Sequence, residues 1–130
     1  MARGKPKPTV SRTRRLAREA EAILGGGTRH WIMHPDGTAQ LAGDLQSWER
    51  WMETGDRRVG DDTVDGLRVS TVFLGLDHNM AGHGPPVLWE TMIFHKGGYA
   101  LGWQRRYTTR LAALRGHGAV VGRLRKGWRP

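Results

Sequence analysis

The sequence predicts an α+β fold: a mostly antiparallel sheet of five or six strands, a short middle helix and a C-terminal helix. Three observations carry this expectation. Turn-forming groups, Pro35-Asp36-Gly37, Asp65-Gly66 and Gly97-Gly98, separate apolar runs of strand length. Residues 45–54 and 110–125 instead repeat apolar side chains at helical spacing. The chain has 130 residues, 38% of them hydrophobic, which supports one modest core.

Taken in order, residues 1–13 read as an extended basic arm, because Pro6 and Pro8 block a helix and no side chain there is suited to burial. A short helix is expected over 14–24, where Leu16, Ala20, Ile23 and Leu24 share a face, and Gly25-Gly26-Gly27 ends it. The expected organisation is therefore a basic arm and helix over 1–28 and one α+β domain over 29–130. Residues 30–34 and 38–42 flank the first turn as a hairpin. Asp44 is placed to cap a helix over 45–54, closed by Gly55 and striped with Leu45, Trp48, Trp51 and Met52.

Asp65-Gly66 is the strongest hairpin signal in the chain and joins strands 57–64 and 67–76. The nearly continuous apolar run of the second predicts a central strand buried on both faces. Two glycines and two prolines make 77–86 a loop. Strands follow at 87–94 and 100–107. Thr108 or Thr109 then caps a helix to about residue 125, with Leu111, Leu114, Val121 and Leu124 expected to face the core. Gly116, Gly118 and Gly122 each cost that helix roughly 1 kcal/mol relative to Ala, so it depends on docking.

The net charge of +9 is unevenly placed. Residues 1–18 hold seven Lys/Arg and no acid, residues 19–90 hold all twelve acids against five Arg, and residues 91–130 hold nine Lys/Arg and no acid. The absence of Cys removes disulfide scaffolds, thiolate metal sites and cysteine nucleophiles. No stretch approaches the roughly 20 apolar residues of a membrane span. Residues 1–18 lack the apolar centre of a signal peptide. The expectation is a soluble protein of a cytoplasm, with no membrane partner.

Catalytic motifs are sparse. There is no phosphate-binding GxxxxGK[ST] loop, no dinucleotide fingerprint and no GxSxG elbow, and the expectation is a protein that is not an enzyme and carries no cofactor. The loop Asp77-His78-Asn79-Met80-Ala81-Gly82-His83-Gly84 is the densest cluster of functional side chains. It reads either as side chains bonding their own loop backbone, as a ligand contact, or as a metal nuclease on Asp77, His78 and His83, with His117 as a further ligand. His30 and His34 have helical metal spacing but fall on a strand, which holds them about 13 Å apart. No metal site is expected.

Arginines give the better lead. Arg57-Arg58 open one strand and Arg105-Arg106 close another. On a shared sheet four guanidinium groups could converge on an anion, with Trp89, Trp103 or Tyr107 as a stacking face. Arginines alternating into solvent are the bland alternative. The basic ends, with Arg3, Lys5, Lys7, Arg12, Arg14 and Arg15 at one end and Arg123, Arg125, Lys126 and Arg129 at the other, fit nucleic-acid contact.

Four segments also carry a resemblance: WERWMETGDRRV at 48–59, RVSTVFLGLDHN at 68–79, PPVLWETMIF at 85–94 and QRRYTT at 104–109. Across about residues 44–118 the chain resembles a family of small bacteriophage and prophage proteins, which share a VSTVFLGLDH core, a PP-x-L-[FW]-ETM-[IV]-F strand and RY-[ST]-T before a helix. The pattern is also similar to that of phage sponges that inhibit Thoeris defence. Those are oligomeric α+β proteins that sequester cyclic ADP-ribose-type signals and cyclic oligonucleotides.

The resemblance implies a homo-oligomer in the host cytoplasm with a pocket at Arg57 or Arg58, Asn79-Met80, Trp89 and Arg106. Met80 stands where the family often has an aromatic, and the final helix is basic where the family's is acidic. The expected function is a non-catalytic phage accessory protein binding an anionic nucleotide and sequestering a host defence signal. A nucleic-acid or ribonucleoprotein-binding module is the alternative, and a metal-dependent nuclease is third.

Overall fold

The computed structural model describes residues 29–130, so the expected arm and helix over 1–28 lie outside the described residues. The fold is α+β. The six strands among the described residues pair antiparallel, divided between a two-stranded and a four-stranded sheet. The chain divides into two compact units, one ending at Asp56 and one spanning Arg57–Pro130, a boundary inside the span read as one domain.

In the first unit, β1 (Trp31–Met33) and β2 (Ala39–Leu41) form the expected hairpin. Gly37 takes the positive φ that its turn needs (89°), and Asp36 bonds the Thr38 amide and hydroxyl. Helix α1 (Leu45–Thr54) begins where Asp44 accepts from the Ser47 amide at 2.6 Å. Its core anchor is Trp48, which is buried, with the His30 ring tilted over it at 4.7 Å. Gly55 closes the helix as expected, in an extended conformation with φ −76°. A Cβ there would stand 2.6 Å from the Trp51 ring, so the glycine answers a close approach and not a backbone angle.

In the second unit, β3 (Arg58–Val64), β4 (Leu67–Phe73), β5 (Trp89–Phe94) and β6 (Ala100–Tyr107) lie in sequence order as a meander. Asp65 (φ 49°) and Gly66 (φ 82°) both adopt the left-handed region, as a two-residue hairpin turn requires. Helix α2 (Arg110–Arg125) is capped by Thr109, whose hydroxyl accepts from the Ala112 amide at 3.0 Å, and packs on one face of the sheet. The core between them is Val64, Leu67, Val69, Ile93, Val120, Val121 and Leu124. Each such side chain contributes about 1.5–3 kcal/mol by leaving water.

Two expectations change here. β4 is central, yet only its helix-facing residues Leu67, Val69, Thr71 and Phe73 are all buried; Arg68 on the other face is exposed and Ser70 and Val72 are half-buried. The helix stripe is also rotated. Ala113, Gly116, His117, Val120, Val121 and Leu124 face the sheet, while Leu111 is 56% exposed and Leu114 38%. Tyr107 decides the phase: a Cβ on Gly116 would collide with its hydroxyl and ring, so a glycine must sit there. Placing Gly116 on the sheet turns Leu111 and Leu114 away from the core.

Candidate functional site

Register separates the expected arginine cluster into two faces. Arg58 pairs with Val72, Val72 with Glu90 and Glu90 with Arg106, so these four form one row across the face opposite α2. Arg58 and Arg106 stand on opposite edges, three strand spacings or about 14 Å apart. Both meet acids: Arg106 bonds Glu90 at 2.9 Å, and Arg58 lies 3.8 Å from Asp61. Asp61 also takes a bidentate pair of hydrogen bonds from Arg68, at 2.9 Å each, and this holds its carboxyl below the usual aspartate range.

Arg57 precedes β3; its carbonyl accepts from the Phe73 amide. Burial draws its guanidinium below the ordinary arginine value. Trp89 is core and not a stacking surface: it is buried edge-on to Phe73, with centroids 5.3 Å apart.

The loop after β4 uses its polar side chains on itself. Asp77 Oδ1 accepts from the Asn79 and Val87 amides, at 2.8 and 2.9 Å. Asn79 Nδ2 donates to the carbonyls of His83 and Pro85, and its Oδ1 accepts from the Ala81 amide. His78 Nδ1 lies 2.8 Å from the Leu76 carbonyl oxygen and therefore donates to it. Of the readings open for this loop, the backbone-bonding one describes the geometry. Among the described residues no three His, Asp or Glu side chains gather as a metal-binding cluster.

Arg105 faces the other way from Arg106. It pairs across from Thr91 and shares the α2 side of β6 with Tyr107, over whose ring its guanidinium lies at 5.8 Å. There β6 and the first half of α2 enclose a groove of about 410 Å³, lined by Arg105, Tyr107, Thr109, Leu111, Ala112, Arg115, Gly116 and Ala119. Among the described residues no carboxylate lines it, and neither Arg105 nor Arg115 has an acidic partner. The small side chains of Ala112, Gly116 and Ala119 keep it open. The positive end of the α2 dipole adds to the field of the two arginines. Compared with family models, curated proteins and solved structures, the chain matches none of them.

Beneath the groove runs a chain of buried polar contacts. The Tyr107 hydroxyl lies 3.0 Å from Thr91 Oγ1, Thr91 2.6 Å from Thr71, Thr71 2.7 Å from His117 Nδ1, and His117 Nε2 2.7 Å from Asp62. Asp, His and Thr in line have the order of a nucleophile triad, but Thr71 is fully buried and no substrate reaches it. His117 is therefore not a ligand for the distant loop. A β-bulge between Arg58 and Gly60 brings Gly60 under its ring, where a Cβ would stand 2.8 Å away.

At the C-terminus, Arg123 covers the Trp128 ring at 4.0 Å, and Trp128 meets Trp103 edge-on at 5.8 Å. Arg129 bonds the Leu124 and Trp128 carbonyls and Asp65. Arg125 and Lys126 are exposed. Arg3, Lys5, Lys7, Arg12, Arg14 and Arg15 lie outside the described residues. No helix among the described residues is long and apolar enough to cross a membrane.

Arg115, Thr109 and Ala112 were not singled out as site residues by the sequence. The local pattern does not single them out: of the three glycines in mid-helix only Gly116 meets another residue, Tyr107, while Gly118 and Gly122 face open space.

Proposed function

We propose that this chain is a non-catalytic binding protein for a small anionic nucleotide, held in the groove between β6 and α2. One observation carries the reading: Arg105 and Arg115 border a groove with no carboxylate among the described residues, while Arg58, Arg68 and Arg106 are each paired with an acid. An arginine without an acid offers its fork of donors to a phosphate. The apolar lining of Leu111, Ala112 and Ala119 gives a base or ribose a surface to rest on. The phage resemblance adds the role: withdrawal of a host nucleotide signal by binding alone, which needs affinity and no reacting group.

The experiment incubates the full chain with cyclic ADP-ribose isomers and cyclic di- and trinucleotides, removes free ligand, denatures the protein and analyses what is released. Intact ligand retained by the wild type and lost from Arg105→Gln/Arg115→Gln is the expected result. No retention at micromolar protein overturns the reading.

A second reading rests on Arg123 stacked over Trp128 beside exposed Arg125 and Lys126. This places cations and an aromatic face together at the end of α2, as contact with a nucleic-acid strand requires. Affinity for a short RNA that falls steeply with salt, and falls again in Arg125→Gln/Lys126→Gln, supports it. An affinity unchanged in that variant excludes it.

A further inference from the structure

The buried polar chain joins the groove to an aspartate on the far edge strand, and its chemistry fixes a direction. A carboxylate oxygen of Asp62 only accepts, so His117 Nε2 carries a hydrogen and donates to it at 2.7 Å. With the imidazole neutral, Nδ1 is then an acceptor. Thr71 donates to Nδ1, Thr91 donates to Thr71, and Tyr107 donates to Thr91. Every hydrogen points away from the groove. The Tyr107 hydroxyl, which lies against Gly116 in the groove wall, spends its only proton inward.

Adding one proton to His117 reverses the series. Nδ1 becomes a donor to Thr71, Thr71 donates to Thr91, and Thr91 donates to the Tyr107 oxygen. The phenol hydrogen is then released toward the groove, between Arg105 and Arg115. No heavy atom has to move, since each hydroxyl only rotates. All the intermediate groups are buried, so water does not substitute for a missing link.

We infer that anion binding in the groove is coupled to protonation of His117, with Asp62 and His117 acting as positioning residues for the Tyr107 hydroxyl. This rests on the groove being the binding site. The groups facing His117 are few. From β3 come Asp62 and, further off, Asp61, itself committed to Arg68. From β4 and β5 come the hydroxyls of Thr71 and Thr91, and from β6 the Tyr107 hydroxyl, with the Arg105 guanidinium over the Tyr107 ring. Asp62 accepts from His117 Nε2 in either state, and a groove anion accepts the hydrogen bond that Tyr107 then offers. Linkage is reciprocal, so the anion must raise the proton affinity of His117 by the factor by which the proton tightens the anion.

Sulfate is the suitable probe, because its charge does not change between pH 5.5 and 8, the interval in which an imidazole gains its proton. Sulfate titrations of the full chain are followed by NMR at the Arg105 and Arg115 side chains, together with the ring nitrogens of His117. The expected result is binding about tenfold tighter at pH 5.5 than at pH 8, the factor of one charged hydrogen bond. Saturating sulfate moves the His117 titration midpoint upward by about one pH unit, the same factor by linkage.

Other histidines also gain charge on acidification, so Thr91→Val is the control. It breaks the chain without touching the groove and should bind sulfate with the tenfold dependence removed. The wild-type midpoint shift needs no substitution and keeps the test open if that variant misfolds. A wild-type affinity independent of pH, or an equal dependence in Thr91→Val, overturns the coupling alone. Absence of sulfate at the two arginines at every pH overturns the groove as an anion site.

Discussion

The β3 edge of the four-stranded sheet and the α2-facing side of β6 carry arginines of opposite circumstance. On β3, Arg58 and Arg68 both converge on Asp61, and Asp62 holds His117. On β6, Arg105 lies over the face of Tyr107, and among the described residues neither it nor its neighbour across the groove, Arg115, meets an acid. A basic side chain with a carboxylate beside it is part of the fold's own electrostatics. One left facing a cavity keeps its hydrogen-bonding capacity for something else. Counting arginines does not tell the two apart; register and pairing do.

The largest effect that would break this comparison is steric. Both edges rely on a glycine where α2 comes closest, Gly60 under His117 and Gly116 over Tyr107. Gly116→Ala should cost about 3 kcal/mol in chemical denaturation, because its new methyl group meets a buried ring and not a flexible chain end. A cost below about 1 kcal/mol would mean that α2 is free to lift off β6, and the groove would lose its fixed shape.

Next in size is the charge contrast itself. Arg105→Gln/Arg115→Gln should weaken sulfate binding by at least about tenfold while changing stability by less than about 0.5 kcal/mol, the pattern of surface residues that stabilise no partner. Arg58→Gln should leave sulfate binding unchanged. Equal losses in both variants would show that the acids of β3 do not distinguish the two edges.

The smallest effect is on β3. Asp61→Asn should cost about 0.5–1 kcal/mol at neutral pH, since the pair with Arg68 is largely exposed. The sign follows from the lowered carboxyl: its contribution is present above the ordinary aspartate value of 3.8 and disappears as pH falls below it. Wild type and variant should therefore converge in stability as the solution is acidified below that value. A difference that persists there would assign the effect to packing.

Much of the architecture was legible because local physics writes it locally. Asp44 and Thr109 are caps since a short oxygen-bearing side chain satisfies open amides in the first turn. Asp65-Gly66 is a hairpin since both positions need positive φ. The acid-rich middle and acid-free C-terminal stretch were equally plain, as composition alone. The candidate site was less legible. Arg57, Arg58, Arg105 and Arg106 were chosen as pairs of adjacent residues, and adjacency on a strand sends side chains to opposite faces. That alternation puts Arg106 with Glu90 and Arg105 with Tyr107 and the groove.

By itself, then, the sequence determined the secondary elements, the turns that join them and the surplus of cations near the C-terminus, since each depends on a few consecutive residues. Tertiary structure decided the rest. The phase of α2 was set by Gly116 seating on Tyr107, which buried His117 over Thr71 and left Leu111 and Leu114 outside. Which arginines are neutralised was set by the strand register. Both depend on residues far apart in the chain arriving within a few ångströms of one another, and no local pattern encodes such a meeting.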